Sequence, residues 1–138
     1  MKIESDAIKE RKIMLKTLLV DTNVLIDYSK GKSQLLGEHL ASKDWQLAVN
    51  PVIVAEFVND KQLVNQEKKK QAKEFIGLFS HIDLNKKIGF KAGELIRTWQ
   101  VDYLGDALIA ATCLIEKMAL LTRNEKHFKK VKGLKLLP

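Results

Sequence analysis

Three acidic residues interrupt or adjoin apolar segments, where burial of a charged side chain is unfavourable: Asp21, Glu56 and Asp106. Brought together in a fold, carboxylates repel and raise one another's pKa unless a positive charge lies between them. A divalent cation supplies that charge, and ligation by oxygen atoms favours Mg²⁺ or Mn²⁺ over zinc. The sequence offers zinc neither paired cysteines nor an HExxH motif. Such an ion keeps several waters and can activate one of them against a phosphodiester.

The sequence around each acid indicates a site role but leaves a second role open. Asp21 ends the apolar run Leu18–Val20, and open α/β proteins bind ligands beyond the carboxyl ends of their strands. Glu56 interrupts the apolar segment Val52–Val58. The other roles are a helix cap for Asp21, an exposed helical acid for Glu56, and a charge that favours a helix N-terminus for Asp106.

Strand-like and helix-like segments alternate, which predicts a mostly parallel sheet with right-handed crossovers. The predicted strands are Lys16–Val20, Asp44–Val49, His81–Leu84, Ala119–Leu121 and Leu134–Leu137. The predicted helices are Val24–Lys30, Ser33–Ala41, Val52–Asn59, a charged run within 60–80, Lys86–Gln100 and Asp102–Met118. The fold class is therefore α/β, with a central sheet between layers of helices. This topology brings the three acids to one sheet edge, together with four polar neighbours: Thr22, Asn23, Thr122 and Asn124.

Particular residues fix some of these boundaries. Asn50 and Pro51 suit the cap and first position of a helix, and Gly31 is the natural end of the first helix. Asp102 either caps the helix that carries Asp106 or shares a face with it one turn away, and we favour the cap.

Length and composition indicate a single globular domain, since 138 residues with 46% apolar content can form a real core. We expect residues 14–138 to form it, and residues 1–13 to be either a short docked helix or a frayed or misassigned leader. The only cysteine, Cys113, is expected in the core. No apolar stretch approaches the ~20 residues that span a bilayer, and no secretory signal is visible. A cytoplasmic protein is the expectation.

Four segments in this order resemble the PIN-domain nucleases, particularly the small VapC-type toxins of bacteria and archaea: DTNVLIDY, the glutamate of VIVAEFV, DALIAATC and LLTRNEKHF. Each motif alone is unspecific, whereas their joint order and separation are hard to match by chance. The resemblance extends from about Met14 to the end of the chain. It implies a PIN-like α/β fold, Mg²⁺- or Mn²⁺-dependent endoribonuclease activity, homodimerisation, and inhibition by a cognate antitoxin.

The resemblance carries the family's catalytic, metal-binding acids onto three residues: Asp21, Glu56 and Asp106. The family's fourth position, often an aspartate, holds Asn124 here. An amide oxygen can ligate a metal or hold one of its waters but brings no charge, so we favour one firmly bound ion and leave a second open. Three neighbours are expected to orient carboxylates or waters: Thr22, Asn23 and Thr122.

An excess of basic residues, 24 against 17 acidic for a net charge of +7, favours a phosphate-rich partner. The hypothesis is an endoribonuclease that binds single-stranded or loop RNA across the acidic site. Lysines on the run Lys68–Lys73 are either a solvated helix face or a phosphate-contacting ridge. The candidate RNA contacts, weighed evenly against ordinary surface charge, are Arg123, Lys126, Lys129 and Lys130. For His127 a loop or helix-capping role is favoured over RNA contact, and Asp27 is expected at the surface.

Two rival functions differ from this hypothesis in class. The first is a non-catalytic RNA- or partner-binding module on the same fold, which Asn124 in place of an acid would suit. The second is a phosphatase with Asp21 as a covalent nucleophile. It is disfavoured because such enzymes require a second aspartate two positions after the first, where this chain has Asn23.

Overall fold

The computed structural model describes residues 16–32, 34–41 and 44–137. The expected extension at residues 1–13 and the expected start at Met14 lie outside these ranges. Within them, no helix is long and apolar enough to cross a membrane.

The described strands form a single sheet in which every neighbouring pair is parallel. Its order is β3-β2-β1-β4-β5. The strands are β1 (Lys16–Val20), β2 (Trp45–Val49), β3 (Ser80–His81), β4 (Ala119–Leu121) and β5 (Leu136–Leu137). The central strand β1 is covered on both faces, since Leu18, Leu19 and Val20 are each 0% exposed. The predicted α/β class and parallel sheet are confirmed.

The helices are α1 (Thr22–Ser29), α2 (Leu35–Ala41), α3 (Pro51–Val58), α4 (Gln66–Ile76), α5 (Lys86–Arg97), α6 (Leu104–Glu116) and α7 (Glu125–Phe128). Asparagine side chains cap three of them, because Asn50, Asn65 and Asn85 each accept a hydrogen bond from the backbone N–H three residues on. The predicted start of α3 at Asn50-Pro51 is confirmed.

Helix α6 forms much of the core on its side of the sheet. It buries a row of mostly small residues that includes Ala107, Ala110, Ala111 and Cys113, and the sulfur of Cys113 lies 3.9 Å from the carbonyl oxygen of Ala119 on β4. Small side chains let the helix approach the strands closely. The expectation that Cys113 is a core residue is confirmed.

The prediction that Asp102 caps α6 is wrong. The helix begins at Leu104, and the first helical hydrogen bond runs from the Ala107 N–H to the carbonyl of Tyr103 at 2.9 Å. Tyr103 therefore holds the capping position, in extended backbone conformation. Asp102 lies one residue earlier and is exposed.

Other differences concern short or polar segments. Helix α1 begins directly after Asp21, two residues before the predicted start. The charged run within 60–80 is helical only over α4, where the Asn65 cap sets the start. Strands β3 and β5 hold two residues each, and α7 was not predicted. Short or polar elements contain too few apolar residues for hydrophobic periodicity to predict their boundaries.

Candidate active site

Asp21 directly follows the central strand β1 and caps the N-terminus of α1. Its backbone N–H donates to the carbonyl of Leu121 on the neighbouring strand β4 at 2.9 Å, which fixes its position at the sheet edge. One carboxylate oxygen accepts from the Thr22 N–H at 2.8 Å. The other accepts from the Thr122 hydroxyl at 2.7 Å. Only 5% of Asp21 is exposed, and the Thr22 N–H and the Thr122 hydroxyl together hold its carboxylate in one orientation.

Thr122 connects Asp21 to the loop after β4. Its hydroxyl is fully buried and also accepts a hydrogen bond from the Asn124 backbone N–H at 2.9 Å. The threonine thus orients the Asp21 carboxylate and fixes the loop that carries Asn124. The expectation that Thr122 orients a carboxylate agrees with this geometry.

Glu56 reaches the same region from α3. Its carboxylate accepts a hydrogen bond from the Thr22 hydroxyl at 2.7 Å, so Thr22 contacts Glu56 with its side chain and Asp21 with its backbone. Gly105 on α6 faces the other Glu56 oxygen, which lies 3.4 Å from where a Cβ at Gly105 would stand. The absence of a side chain at Gly105 leaves room beside this carboxylate.

Asp106, in the first turn of α6, contacts a residue whose role the sequence prediction missed. A carboxylate oxygen of Asp106 lies 3.0 Å from Nδ1 of His127, on α7. The favoured loop or capping role for His127 was therefore wrong. The sequence signal for this role was the spacing of His127 from Asn124, one helical turn. That spacing is informative only when the segment is known to be helical, as it is in α7.

A cavity of about 440 Å³ brings these groups together. Its lining residues are Asp21, Thr22, Asn23, Ile26, Glu56, Asn59, Tyr103, Gly105, Asp106, Asn124 and His127. The three predicted acids and Asn124 thus share one cavity, with Thr122 behind its wall. Asp102 and the four candidate RNA-binding residues are not among these described lining residues. The sequence prediction missed the contribution of Ile26, Asn59, Tyr103, Gly105 and His127.

Burial and mutual repulsion make the two aspartates unusual acids. Burial raises the pKa of the Asp21 carboxyl above its usual range, the hydrogen bonds from Thr122 and the Thr22 N–H oppose this, and the charge of Asp106 adds to it. Burial likewise raises the pKa of Asp106, against the influence of His127, while the charges of Glu56 and Asp102 raise it further. Both aspartates would be stabilised as anions by a cation in the cavity.

The donor chemistry of the cavity fits a hard divalent cation. Carboxylate oxygens and an amide face one space, which is the ligand type that Mg²⁺ and Mn²⁺ prefer. In the described part of the chain, however, no three His, Cys, Asp or Glu side chains already stand together as a metal-holding group. Glu56 and Asp106 instead contact protein groups, the Thr22 hydroxyl at 2.7 Å and Nδ1 of His127 at 3.0 Å.

The basic residues lie outside the cavity lining. Lys126, Lys129 and Lys130 are exposed on and just after α7, and Arg123 forms an ion pair with Asp27 of α1. The Asp27 side chain is 21% exposed, a partly covered position beside the more exposed Arg123. The pair ties the loop after β4 to α1, since it joins the two segments that also meet through Thr122 and Asp21.

Comparison with known proteins agrees with this fold. Residues 18–134 match the family described as PIN domain. A curated relative named Ribonuclease VapC1, from Rickettsia felis, is 27% identical over 133 residues, which cover 87% of this chain and 94% of the relative. Another Ribonuclease VapC1, from Methanocaldococcus jannaschii, is 30% identical over 128 residues, covering 86% of this chain and 85% of the relative. A solved toxin-antitoxin complex from Klebsiella pneumoniae has the same fold, with a TM-score of 0.73 and 24% identity over 88% of this chain and 96% of that one.

Proposed function

The chain belongs to the PIN-domain family, and from this membership we propose that it is a metal-dependent endoribonuclease and the toxin of a toxin–antitoxin pair. Relatives that match most of its length carry the name ribonuclease. The observation that carries the proposal is the convergence of Asp21, Glu56 and Asp106 on one cavity. That cavity lies at the carboxyl ends of parallel strands, where α/β proteins bind ligands.

In the proposed site Asp21 and Asp106 hold a Mg²⁺ or Mn²⁺ ion, with Glu56 as a further acid. When bound, the ion supplies charge stabilisation at the phosphodiester and activates a water. Thr122 and the Thr22 N–H hold the Asp21 carboxylate in its orientation. His127 positions Asp106.

The fourth position of the site favours a single ion. Asn124 lines the cavity but contributes no charge, so it would hold a second ion less firmly than an aspartate would. Its amide oxygen remains available to a metal or to one of its waters. Asn23 also lies on the cavity wall, and in this proposal it would help to orient carboxylates or waters there.

The proposed substrate is single-stranded or loop RNA, whose backbone can enter a cavity that a duplex cannot. The net charge of +7 favours association with RNA in general. Exposed side chains on and after α7 would contact the flanking phosphates: Lys126, Lys129 and Lys130. Arg123 contributes less, because Asp27 neutralises it.

We assign the partners by analogy with the relatives. The solved neighbour is described as a toxin-antitoxin complex, and we propose that this chain binds a cognate antitoxin, forms a homodimer and acts in the cytoplasm. A small reading frame beside the gene that encodes a DNA-binding start and an amphipathic tail would support the pairing.

Replacing Asp106 with Asn tests the proposed chemistry. Cleavage of structured and single-stranded RNAs with Mg²⁺ or Mn²⁺ should fall to background, because the variant loses an anionic ligand while keeping its shape. Glu116→Gln is a matched control, since it removes an exposed acid at the other end of the same helix and should leave cleavage unchanged.

Unchanged cleavage by Asp106→Asn in a clean preparation would remove the proposed mechanism. A non-catalytic RNA-binding module is the second candidate, favoured by the amide of Asn124 where an acid is common. RNA binding that is insensitive to chelator, without cleavage under any divalent ion, would establish that alternative.

A further inference from the structure

Tyr103 is an exposed aromatic residue on the wall of the acidic cavity. It holds the capping position of α6, yet among the described residues its side chain makes no capping hydrogen bond. Serine, threonine, aspartate and asparagine are the residues that stabilise this position. With 64% of the residue exposed, Tyr103 also contributes little to the core. Neither helix stability nor burial therefore explains a tyrosine here.

A second aromatic ring stands beside it. The ring centroids of Tyr103 and His127 are 6.2 Å apart with 48° between their planes, and His127 lies at a similar angle to Phe128, at 6.4 Å. Phe128 is only 1% exposed, so this side of the cavity is anchored in the core. The Asp106 contact fixes the His127 ring as well. The exposed ring of Tyr103 thus neighbours the ring of His127, which in turn neighbours the buried ring of Phe128.

We propose that Tyr103 binds the face of a nucleobase next to the phosphodiester that enters the cavity. This inference rests on the proposed function and names a binding residue for the same substrate. In single-stranded RNA the bases are unpaired, and their flat apolar faces stack on aromatic side chains. The cavity itself is lined by acids that repel phosphate. A neutral ring at the rim adds affinity without a positive charge that would compete with the metal for those acids.

Stacking on Tyr103 is tolerant of base identity, because every base presents an aromatic face. The residue therefore fixes where the chain of nucleotides lies and leaves sequence selection to other groups. A protein partner is the other occupant that an exposed tyrosine would suit, and it is distinguished by measuring binding to RNA alone.

The test is the dissociation constant of the full chain for a fluorescein-labelled, single-stranded oligoribonucleotide of mixed sequence, measured by anisotropy. The probe is compared with an oligomer of the same length that is abasic throughout. Tyr103→Leu should weaken binding of the intact RNA by about tenfold or more, since stacking on the ring is lost. It should leave the abasic oligomer unaffected. Tyr103→Phe keeps the ring and should bind like the unaltered chain.

Phe90→Leu is the matched control, because Phe90 is 76% exposed on α5 and is not among the described residues of the cavity. Thermal unfolding verifies that each variant is folded. The proposal is overturned if Tyr103→Leu binds intact RNA normally, if it weakens intact and abasic oligomers equally, or if the unaltered chain binds neither oligomer. Ring-dependent binding without cleavage under any divalent ion would retain the stacking role and refute the nuclease function.

Discussion

Replacing Thr122 with Val should destabilise the metal-free protein more than the loss of a buried hydroxyl alone explains. The substitution keeps the shape of the side chain and removes one oxygen. That oxygen is 0% exposed, donates to Asp21 at 2.7 Å and accepts from the Asn124 N–H at 2.9 Å. Valine would leave a carboxylate oxygen and a backbone N–H without these partners.

The magnitude follows from the two bonds. A hydrogen bond to a charged group is worth about 1.5–3 kcal/mol and a neutral one about 1 kcal/mol, so we expect a loss of about 3 kcal/mol near neutral pH. Thr112→Val is the matched control. Thr112 is also 0% exposed, but its hydroxyl receives a neutral bond from Asn50 at 3.0 Å and donates to a carbonyl within its own helix. Its loss should be about 2 kcal/mol, about 1 kcal/mol for each neutral bond.

The pH dependence separates the two variants. Burial raises the folded-state pKa of Asp21, so its contribution to stability is full below the unfolded-state pKa and is lost as the pH rises through the folded-state value. The Thr122 hydrogen bond lowers that folded-state pKa, and removing the bond raises it further. The cost of Thr122→Val should therefore be smallest where Asp21 is protonated and should grow as the pH rises. The cost of Thr112→Val should not change.

The assay is urea-induced unfolding in chelator at a series of pH values, with the free energy of unfolding extrapolated to water for each variant. Equal losses for the two variants, or a loss at Thr122 that does not grow with pH, would refute the role assigned to its bond with Asp21.

Two further substitutions test the open space beside Glu56 and the left-handed backbone at Trp99. Gly105→Ala should stabilise α6 by at most about 0.5–1 kcal/mol, the range for a glycine inside a helix, since Gly105 lies in the first turn. It should lower RNA cleavage, because the new methyl group would fill the space beside Glu56 and stand 3.4 Å from its carboxylate oxygen. Unfolding and cleavage assays on one preparation check both effects, and full activity would show that this open space is not needed. Trp99→Gly should raise the melting temperature, because Trp99 holds φ at 61° and is 81% exposed, and a left-handed backbone costs most residues about 1–2 kcal/mol. A lower melting temperature would instead indicate that the indole is buried against another chain.

The sequence predicted the strands that are continuous and apolar. Lys16–Val20 and Ala119–Leu121 were placed with their observed boundaries, because buried parallel strands read as unbroken apolar runs. Helix α3 was located by Asn50 and Pro51, whose preferences are local. The predicted boundaries were wrong, or the element was missed, where the segment was short or polar, as at Ser80–His81 and in α7. Contacts with a neighbouring strand or helix decide where such elements begin and end.

The candidate acids were identifiable for a related reason. Asp21 and Asp106 each place a charge beside residues that the fold buries, and Glu56 interrupts an apolar segment. That conflict is visible in the sequence alone. What the sequence left undecided was the position of Asp102 relative to α6. Residue type favours an aspartate over a tyrosine at a cap, yet the backbone of Tyr103 takes the capping position, so local preference alone did not decide where the helix begins.

By itself, then, the sequence determined the apolar core strands and the three candidate acids, because hydrophobic burial and the cost of burying charge act residue by residue. Tertiary structure alone decided the partners of those acids. Thr122 lies 101 positions from Asp21, and His127 lies 21 positions from Asp106. Hydrogen bonds act over about 3 Å, and only the packing of α6, α7 and the sheet brings such distant residues within that range.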